Sequence, residues 1–387
     1  MARPRSIPGV QTTRASDSPV IDRLDRQILQ GLRFAPRIPF ARLAAVLAVS
    51  EQTVARRYQR MRAAGLVRVF GQANPERMPG TNYWNLRIYC RPGSAAATAQ
   101  ALARRSDTSW VTIGAGGVEL TCAVRVTEGR DGPEGLLHHL PRAANVLSLS
   151  AHQVLHRFVG RGETDWIAGD GQLSEEQRAQ LLDGTDPGLR AGEDHRPAAV
   201  SGASTPPADG PGLGRDTAPP TDGPGLGRGT ARVESGDRAL LAALATDGRA
   251  GYAALATATG WTQRKVALRL AALTASGAVY FDTEVAATRM GFRSAATLWI
   301  TVAPAHLAAV GARLADHRQL AWAAAVTGTA TITATALCRD AEELYRYLTT
   351  EVAAISEIQT CETVPVQSRI KHAVSLVDGG VLSGPVI

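Results

Sequence analysis

The clearest hydrophobic pattern in the chain begins at Ser50 and ends at Gly65, where apolar and polar positions alternate at helical spacing. At 100° per residue, Val54, Tyr58 and Met61 fall on one stripe, which predicts a helix with one buried side. The Ser50 hydroxyl can cap the start of this helix, and Gly65 can adopt the left-handed conformation that ends it.

The side opposite the apolar stripe is polar and basic. Gln and Arg side chains can form paired hydrogen bonds with adenine and guanine edges in the DNA major groove. A solvated amphipathic helix is the plainer interpretation of such a pattern when it stands alone. The residues that we predict to contact DNA from this helix are Ser50, Gln52, Thr53, Arg56, Arg57, Gln59 and Arg60.

The residues upstream favour the DNA interpretation. Apolar residues at helical spacing predict one helix over 21–32, and a second short helix is predicted over 40–47. A tight turn at Ala48-Val49 then leads into the basic third helix. Two helices, a tight turn and a basic helix form the helix-turn-helix pattern.

After a connector rich in Pro and Gly, the pattern changes to short strands and helices in the order βαββαβ. Strands are predicted over 83–90, 110–113, 119–126 and 146–156, and helices over 95–104 and 133–139. This order is that of the ferredoxin-like sandwich, so the predicted fold class is α+β. The turn at 114–117 is rich in Gly, but it joins two strands and does not open a helix, which argues against a phosphate loop.

The second half of the chain repeats the first at a constant offset of 212 residues. Asp25 corresponds to Asp237, Gly65 to Gly277 and Trp110 to Trp322, so the two-domain unit is present twice. The predicted organisation is a disordered basic tail (1–19), a helix-turn-helix domain (20–72), a sandwich (80–160), a partly disordered linker (161–232), a second helix-turn-helix domain (233–283), a second sandwich (294–372) and a tail (373–387).

The linker holds two further patterns. A seven-residue segment at 209–215 recurs at 222–228, and such a low-complexity stretch cannot bury a core. Ser174 and Gln177 are spaced as a capping box, which predicts a short helix after them.

Together, the residues of the first unit resemble the Lrp/AsnC family of transcriptional regulators. The matching residues are Leu24-Asp25-Arg26, Ile28-Leu29, Arg37-Ile38, Leu43-Ala44, Val49-Ser50, Val54, Arg57, Met61 and Ala64-Gly65-Leu66-Val67. The resemblance implies a DNA-binding domain followed by an effector and oligomerisation domain. It also implies an amino-acid effector at the Gly-rich turn, with Gly114, Gly116, Gly117 and Glu119 as the binding residues. The family usually has an Asp where Glu119 stands.

The second helix-turn-helix carries a weaker reading face. Its outer positions are Arg264, Leu268, Ala271 and Ala275, and only Arg264 can hydrogen-bond a base edge. Lys265 and Arg269 flank this face. We therefore expect Arg264, Lys265 and Arg269 to contact DNA, the second copy to bind mainly through phosphates, and the second domain to be a degenerate reader.

Charge and cysteine usage agree with a DNA partner and a reducing cytoplasm. The formal net charge is +7, which is compatible with nucleic acid. The four cysteines lie far apart, which argues against a zinc site or a disulfide scaffold. No apolar run reaches the roughly 18 residues of a membrane span. We expect no metal and no cofactor.

Two alternatives to a regulator remain at this stage. Siroheme decarboxylases resemble these regulators but use His and Arg at the sandwich domain, and the strongly basic first helix-turn-helix argues against that class. An architectural or protein-docking role would use the apolar face of the second domain. The favoured interpretation is a sequence-specific DNA-binding regulator whose two copies pair within the chain as a pseudo-dimer, with higher homo-oligomers open.

Overall fold

The computed structural model describes residues 21–74, 77–78, 80–127, 135–160, 172–183 and 231–386. The predicted basic tail at 1–19 and the duplicated segments at 209–215 and 222–228 lie outside the described residues.

The elements follow the predicted order twice, which confirms the α+β fold class with a helix-turn-helix before each βαββαβ sandwich. The helices are α1 (Arg23–Phe34), α2 (Phe40–Val46), α3 (Glu51–Ala63), α4 (Ala95–Ala103), α5 (Leu136–His139), α6 (Glu175–Leu182), α7 (Arg238–Thr246), α8 (Tyr252–Thr259), α9 (Gln263–Ala275), α10 (Leu307–Ala315) and α11 (Ala341–Tyr347). The strands are β1 (Val67–Ala73), β2 (Thr81–Cys90), β3 (Thr108–Gly114), β4 (Glu119–Thr127), β5 (Val146–Val159), β6 (Val279–Val285), β7 (Ser294–Val302), β8 (Leu320–Val326), β9 (Ile332–Cys338), β10 (Ile358–Arg369), β11 (Ser375–Asp378) and β12 (Val381–Pro385).

Helix α3 begins and ends as the sequence predicts. The Ser50 hydroxyl accepts a hydrogen bond of 3.1 Å from the Thr53 amide, and Gly65 closes the helix with φ +66°. Its buried side chains are those of the predicted stripe: Val54, Tyr58 and Met61. We call α1–α3 with β1 the first head, and α7–α9 with β6 the second head.

Each sandwich has four antiparallel strands with its helices on one face. The apolar core lies between that face and the helices, and includes Leu86, Ile88 and Leu120 in the first sandwich. Leu298, Ile300 and Ile332 occupy the same layer in the second. Alternation along each strand therefore turns a second, more polar row of side chains to the opposite face.

The two sandwiches join into one closed barrel of eight strands, in the order β10-β3-β4-β2-β5-β8-β9-β7. Strand β5 pairs with β8 of the second copy, and β10 pairs with β3 of the first. The polar faces of both sheets consequently point into the barrel. The chain itself supplies both halves of the pseudo-dimer.

The two heads are also joined, by an antiparallel ribbon of β1 and β6. At its centre Phe70 lies opposite Asp282, and these residues correspond in the repeat, so an approximate twofold axis passes between them. Two equivalent arginines cross this axis. Arg37 donates to the Ala250 carbonyl at 3.1 Å, and Arg249 donates to the Pro36 and Ile38 carbonyls at 2.6 and 2.8 Å.

Part of the predicted linker is a folded element. Helix α6 carries the predicted capping box, since Ser174 and Gln177 each accept a hydrogen bond from the other's backbone amide. Leu173 and Leu181 are buried against the first head, and the Gln30 side chain accepts from the Leu173 amide at 2.5 Å. The second copy has no counterpart of this helix among the described residues.

The predicted C-terminal tail likewise contains a hairpin of β11 and β12. The Leu382 amide donates to the Gly65 carbonyl at 2.8 Å, directly after α3. The fully buried Glu284 of β6 accepts from the Val374 amide at 2.8 Å and from the Ser375 hydroxyl. This hairpin therefore fastens the C-terminus to both heads.

Candidate nucleic-acid interface and barrel cavity

Helix α3 presents its predicted reading face to solvent. Gln52, Arg56 and Gln59 are all exposed on the side away from Val54 and Tyr58. The buried stripe orients this face, because rotating the helix would bring polar groups into the core.

Two basic residues of α3 form ion pairs within the first head. Arg57 binds the carboxylates of Asp22 and Asp25 at 2.6 and 3.1 Å, and Arg60 binds Asp25 at 2.6 Å. Asp25 is completely buried, so these arginines neutralise a carboxylate that water cannot reach. A DNA contact by Arg57 would compete with this ion pair. We therefore base the proposed base contacts on Gln52, Arg56 and Gln59.

The second head repeats this ion pair but not the reading face. Arg269 binds Asp237 at 2.7 and 2.8 Å, as Arg57 binds Asp25. On the outer side, Leu268 has 63% of its surface exposed, and Ala271 and Ala275 are exposed beside it.

Arg264 and Lys265 are the exposed cations at the start of α9. The Lys265 ammonium lies 4.3 Å from the Trp261 ring centre, a cation–π contact that leaves its charge near the helix N-terminus. Both side chains can bind phosphate oxygens, and phosphate contacts carry no base preference.

The predicted effector turn is packed against the second copy. Ala115, Gly116 and Gly117 all have positive φ, between +46° and +85°. A side chain at Gly114 would meet the Pro365 carbonyl of β10 at 2.9 Å. The turn is therefore part of the seam between the two sandwiches.

Glu119 is buried and already paired. Arg87 donates to both of its carboxylate oxygens at 3.0 Å and to Glu362 of the second copy at 2.8 Å. The effector role of Gly114, Gly116, Gly117 and Glu119 stays a prediction. An amino group would have to compete with Arg87 for this carboxylate.

The inner faces of the barrel line a cavity of about 690 Å³ that the sequence reasoning missed as a site. Its wall includes three tryptophans and four arginines, and it extends to helix α7 of the second head. Two sequence signals point to it: Trp110 and Trp322, and Arg157 and Arg369, correspond across the repeat. The residues of the wall with these properties are Trp110, Trp299, Trp322, Arg125, Arg157, Arg238 and Arg369.

No group of three or more His, Cys, Asp or Glu side chains is placed to hold a metal ion within the part of the chain that the structure describes. The same residues contain no helix long and apolar enough to cross a membrane.

Comparison with known proteins agrees with this architecture. A model of the AsnC-type helix-turn-helix domain matches residues 21–62 and 235–274, and a model of the Lrp/AsnC ligand binding domain matches residues 295–376. No protein of curated function matches the chain.

Solved structures show likeness of fold at low identity. The siroheme decarboxylase NirDL is 10% identical with a TM-score of 0.56, and the alignment covers 91% of this chain and 93% of NirDL. NirDL has also been solved in complex with an iron-uroporphyrin III analogue (9% identity, TM-score 0.55, with the same coverage of both chains). AsnC of E. coli is 23% identical with a TM-score of 0.33, over 36% of this chain and 94% of AsnC.

Two heads and two sandwiches in one chain define a tandem helix-turn-helix protein with a fused eight-stranded barrel. The chain carries two AsnC-type helix-turn-helix domains, and its second sandwich matches the Lrp/AsnC ligand binding domain.

Proposed function

We propose that the chain is a cytoplasmic, DNA-binding transcriptional regulator that reads sequence through helix α3 of the first head. The observation that carries this proposal is the contrast between equivalent faces. Gln52, Arg56 and Gln59 are exposed on α3, whereas α9 exposes Arg264, Leu268 and Ala271 in the same positions.

The chemistry of the two faces supports different tasks. Arg and Gln can each make two hydrogen bonds to one base, so the first head has the donors and acceptors for sequence recognition. The second head has Arg264 and Lys265 at its exposed helix start, where phosphate oxygens are favoured. It therefore contributes affinity and salt dependence more than specificity.

Binding-site selection from random duplex DNA, followed by measurement of the Arg56→Ala variant at fixed salt, tests this function. We expect Arg56→Ala to weaken the selected site by about 1–3 kcal/mol and to relax base preference at one position. Arg264→Ala should weaken all sequences alike, and Arg346→Ala, an exposed residue on α11, is the matched control. An unchanged motif and affinity for Arg56→Ala would show that α3 does not enter the groove as proposed.

A resemblance in fold to NirDL raises the question of an enzyme, and we propose that this chain does not decarboxylate siroheme. At 10% identity the likeness concerns the fold alone. Among the described residues, the histidines beside the barrel cavity are His152 and His372. They pack against Trp299 and Trp110, with ring centres 4.9 and 5.3 Å apart, and are not themselves part of the cavity wall.

The enzyme alternative is tested directly by incubating the protein with siroheme under reducing, anaerobic conditions and analysing the pigment by mass spectrometry. We expect the substrate to be recovered with all its carboxyl groups. A product that had lost carboxyl groups in the presence of the protein, and kept them without it, would establish the alternative.

A further inference from the structure

The barrel cavity has the volume of a small-molecule site. Eight-stranded barrels are just wide enough to be filled by side chains or to hold one small ligand. Here about 690 Å³ is left open, which is within the range of ordinary ligand pockets. The chemistry of the wall indicates which class of molecule fits.

The charged groups of the wall are already met by other groups of the chain. Its carboxylates, Asp107 and Glu234, pair with arginines at 2.6 and 3.2 Å. Arg157 and Arg369 each interact with other groups of the protein, and Arg125 donates to a backbone carbonyl at 3.4 Å. The fourth arginine, on α7, is exposed to solvent. An ionised ligand would lose its hydration without gaining an uncompensated partner, so the interior favours an uncharged one.

The inner face of the second sheet carries neutral polar groups beside a tryptophan. Trp322, Thr335 and Thr297 are direct neighbours across β8, β9 and β7. Thr333 lies two positions from Thr335 on β9, so its side chain is on the same face. All four residues line the cavity. One indole and three hydroxyl groups are therefore gathered on three neighbouring strands.

The repeat shows that these hydroxyl groups are not used to hold the sheet together. In the first copy the hydroxyls of Thr112 and Thr121 hydrogen-bond each other at 2.6 Å. The second copy has an alanine in place of Thr112, so Thr333, the equivalent of Thr121, lacks this partner although only 2% of its surface is exposed. Among the described residues, the hydroxyls of Thr297 and Thr335 have no hydrogen-bond partner either. Buried hydroxyl groups are normally paired, so a bound molecule is the expected partner.

The tryptophan of this face is positioned by an irregular strand. The register of β8 against β9 shifts beside Trp322, and that of β3 against β4 shifts beside Trp110, its equivalent in the repeat. A bulge redirects a side chain, and both copies have one at the tryptophan that lines the cavity. Trp110 packs against His372, with ring centres 5.3 Å apart. Within the described part of the chain, no aromatic ring or cation packs on Trp322, so its indole is available to a bound ring.

We propose that the barrel cavity binds an uncharged, flat molecule of two or three rings with hydroxyl or carbonyl groups at its rim. Its ring system lies against Trp322. Its rim groups form hydrogen bonds with Thr297, Thr333 and Thr335, whose hydroxyls can both donate and accept. Three neighbouring strands span about 10 Å, which suits a molecule of this length. The site is separate from the Gly-rich turn, and binding there does not depend on the proposed function.

Ligand binding is measured on the full chain by calorimetry and by quenching of tryptophan fluorescence. The probes share one flat frame: dihydroxynaphthalene carries two hydroxyl groups, naphthalene carries none, and naphthalene disulfonate carries two negative charges. We expect dihydroxynaphthalene to bind saturably, and about tenfold more tightly than either of the other two. Absence of saturable binding by dihydroxynaphthalene, or tighter binding of the disulfonate, would overturn the proposal.

Variants identify the site. Thr335→Val and Thr297→Val each remove one hydroxyl group with little change of shape. Each should weaken binding of dihydroxynaphthalene about three- to tenfold. Binding of naphthalene should stay unchanged, which also reports that the cavity is intact. Trp322→Leu should weaken binding of both probes, because both lie against the indole.

The matched control is Thr360→Val, at an exposed threonine of β10. It should bind both probes like the unaltered chain. Equal binding of dihydroxynaphthalene by the control and by all three cavity variants would place the probe elsewhere, and would overturn the assignment of the site.

Discussion

Both heads contain an ion pair between their first and third helices, which are α1 and α3 in the first head and α7 and α9 in the second. In each copy an Asp at the start of the first helix binds an Arg thirty-two positions later: Asp25 with Arg57, and Asp237 with Arg269. Both carboxylates are buried. The pair therefore stabilises the head only while both partners are present, since either charge alone would be buried without compensation.

The pH dependence of the second head follows from this pair. Burial raises the pKa of Asp237, whereas the hydrogen bonds and charge of Arg269 lower it. The lowering is the larger effect, so the pKa of Asp237 is below its ordinary value. In the unfolded chain this carboxyl group has a pKa near 3.9, and in the folded chain its pKa is lower. The ion pair therefore stabilises the fold above about pH 3.9, and this stability is lost as the pH falls through the folded-state pKa. We expect Asp237→Asn to lower the free energy of unfolding by about 3 kcal/mol at neutral pH.

Urea unfolding at a series of pH values checks this expectation. The variant should lose less stability than the unaltered chain as the pH falls below about 4. The matched control is Asp378→Asn, at the exposed end of β11, which should follow the unaltered chain throughout. Identical acid profiles for Asp237→Asn and the unaltered chain would mean that the pair contributes no stability.

The same pair shows why one part of the interface was hard to predict. From the sequence alone, Arg57 is expected among the DNA contacts of α3. Its partner Asp25 is remote in sequence, and the packing of α1 on α3 is not visible from either helix alone. The one available signal was that Asp25 and Arg57 both recur at the offset of 212.

At the scale of elements, local patterns were sufficient for the helices and strands. Ser50, Gly65 and the apolar stripe of α3 define that helix from within a stretch of sixteen residues. The βαββαβ order could be predicted for the same reason, because the spacing of apolar residues and the flanking turn residues identify each element locally.

Elements that depend on distant partners were not predictable in their placement. The sequence predicted the start of α6 from Ser174 and Gln177 but not its packing on the first head, which depends on Leu173 and Leu181. The hairpin after residue 374 likewise depends on Glu284, some ninety positions earlier.

The barrel cavity was missed for a related reason. Thr112, Thr121 and Arg125 alternate with the buried apolar residues of β3 and β4, a pattern typical of a sheet with one face in water. Here the second sheet covers that face, because β5 pairs with β8 and β10 with β3. Pairing between copies turns an apparently solvated face into the wall of a cavity.

At the scale of the molecule, the two heads are held in one arrangement. The β1–β6 ribbon joins them along seven residue pairs, and Arg37 and Arg249 each bind carbonyls of the opposite head. Burial of these guanidinium groups, which lowers the pKa of Arg249 to about 10, makes these contacts hard to replace by water. The distance between helices α3 and α9 is consequently fixed by the fold.

Duplication allows the two heads to differ in function while they keep a common frame. By frame we mean the ion pair inside each head together with the β1–β6 ribbon and the arginines that join the heads. A dimer of identical chains has two identical reading heads and suits a palindrome. In this chain the ion pairs and the crossing arginines are retained in both copies, whereas the outer face has changed from Gln52, Arg56 and Gln59 to Arg264, Leu268 and Ala271. This is the pattern that one specialised head requires: the residues of the frame are the same in both copies, and the residues of the outer face differ.

We therefore expect one chain to bind an asymmetric site. One half should be well defined and recognised by α3, and the other should be degenerate and held through phosphates by Arg264 and Lys265. The check is a selected-motif logo together with footprinting and the chain-to-DNA stoichiometry, all at one stated salt concentration. A symmetric palindrome with equal information in both halves would contradict it, and would indicate two chains that each contribute the first head.

A variant of the second head gives the sharpest form of this test. Arg264→Gln, Leu268→Arg and Ala271→Gln together copy the outer face of α3 onto α9. If the frame is common and only the face differs, the degenerate half should gain base preference, at about 1–3 kcal/mol for each newly recognised base pair. The matched control places Gln, Arg and Gln at Thr349, Tyr345 and Glu342 of the exposed surface around α11, and its logo should stay asymmetric. A logo unchanged by the copied face would show that the second head does not lie in a groove, because a helix that already follows the DNA would read it once it carries the same side chains.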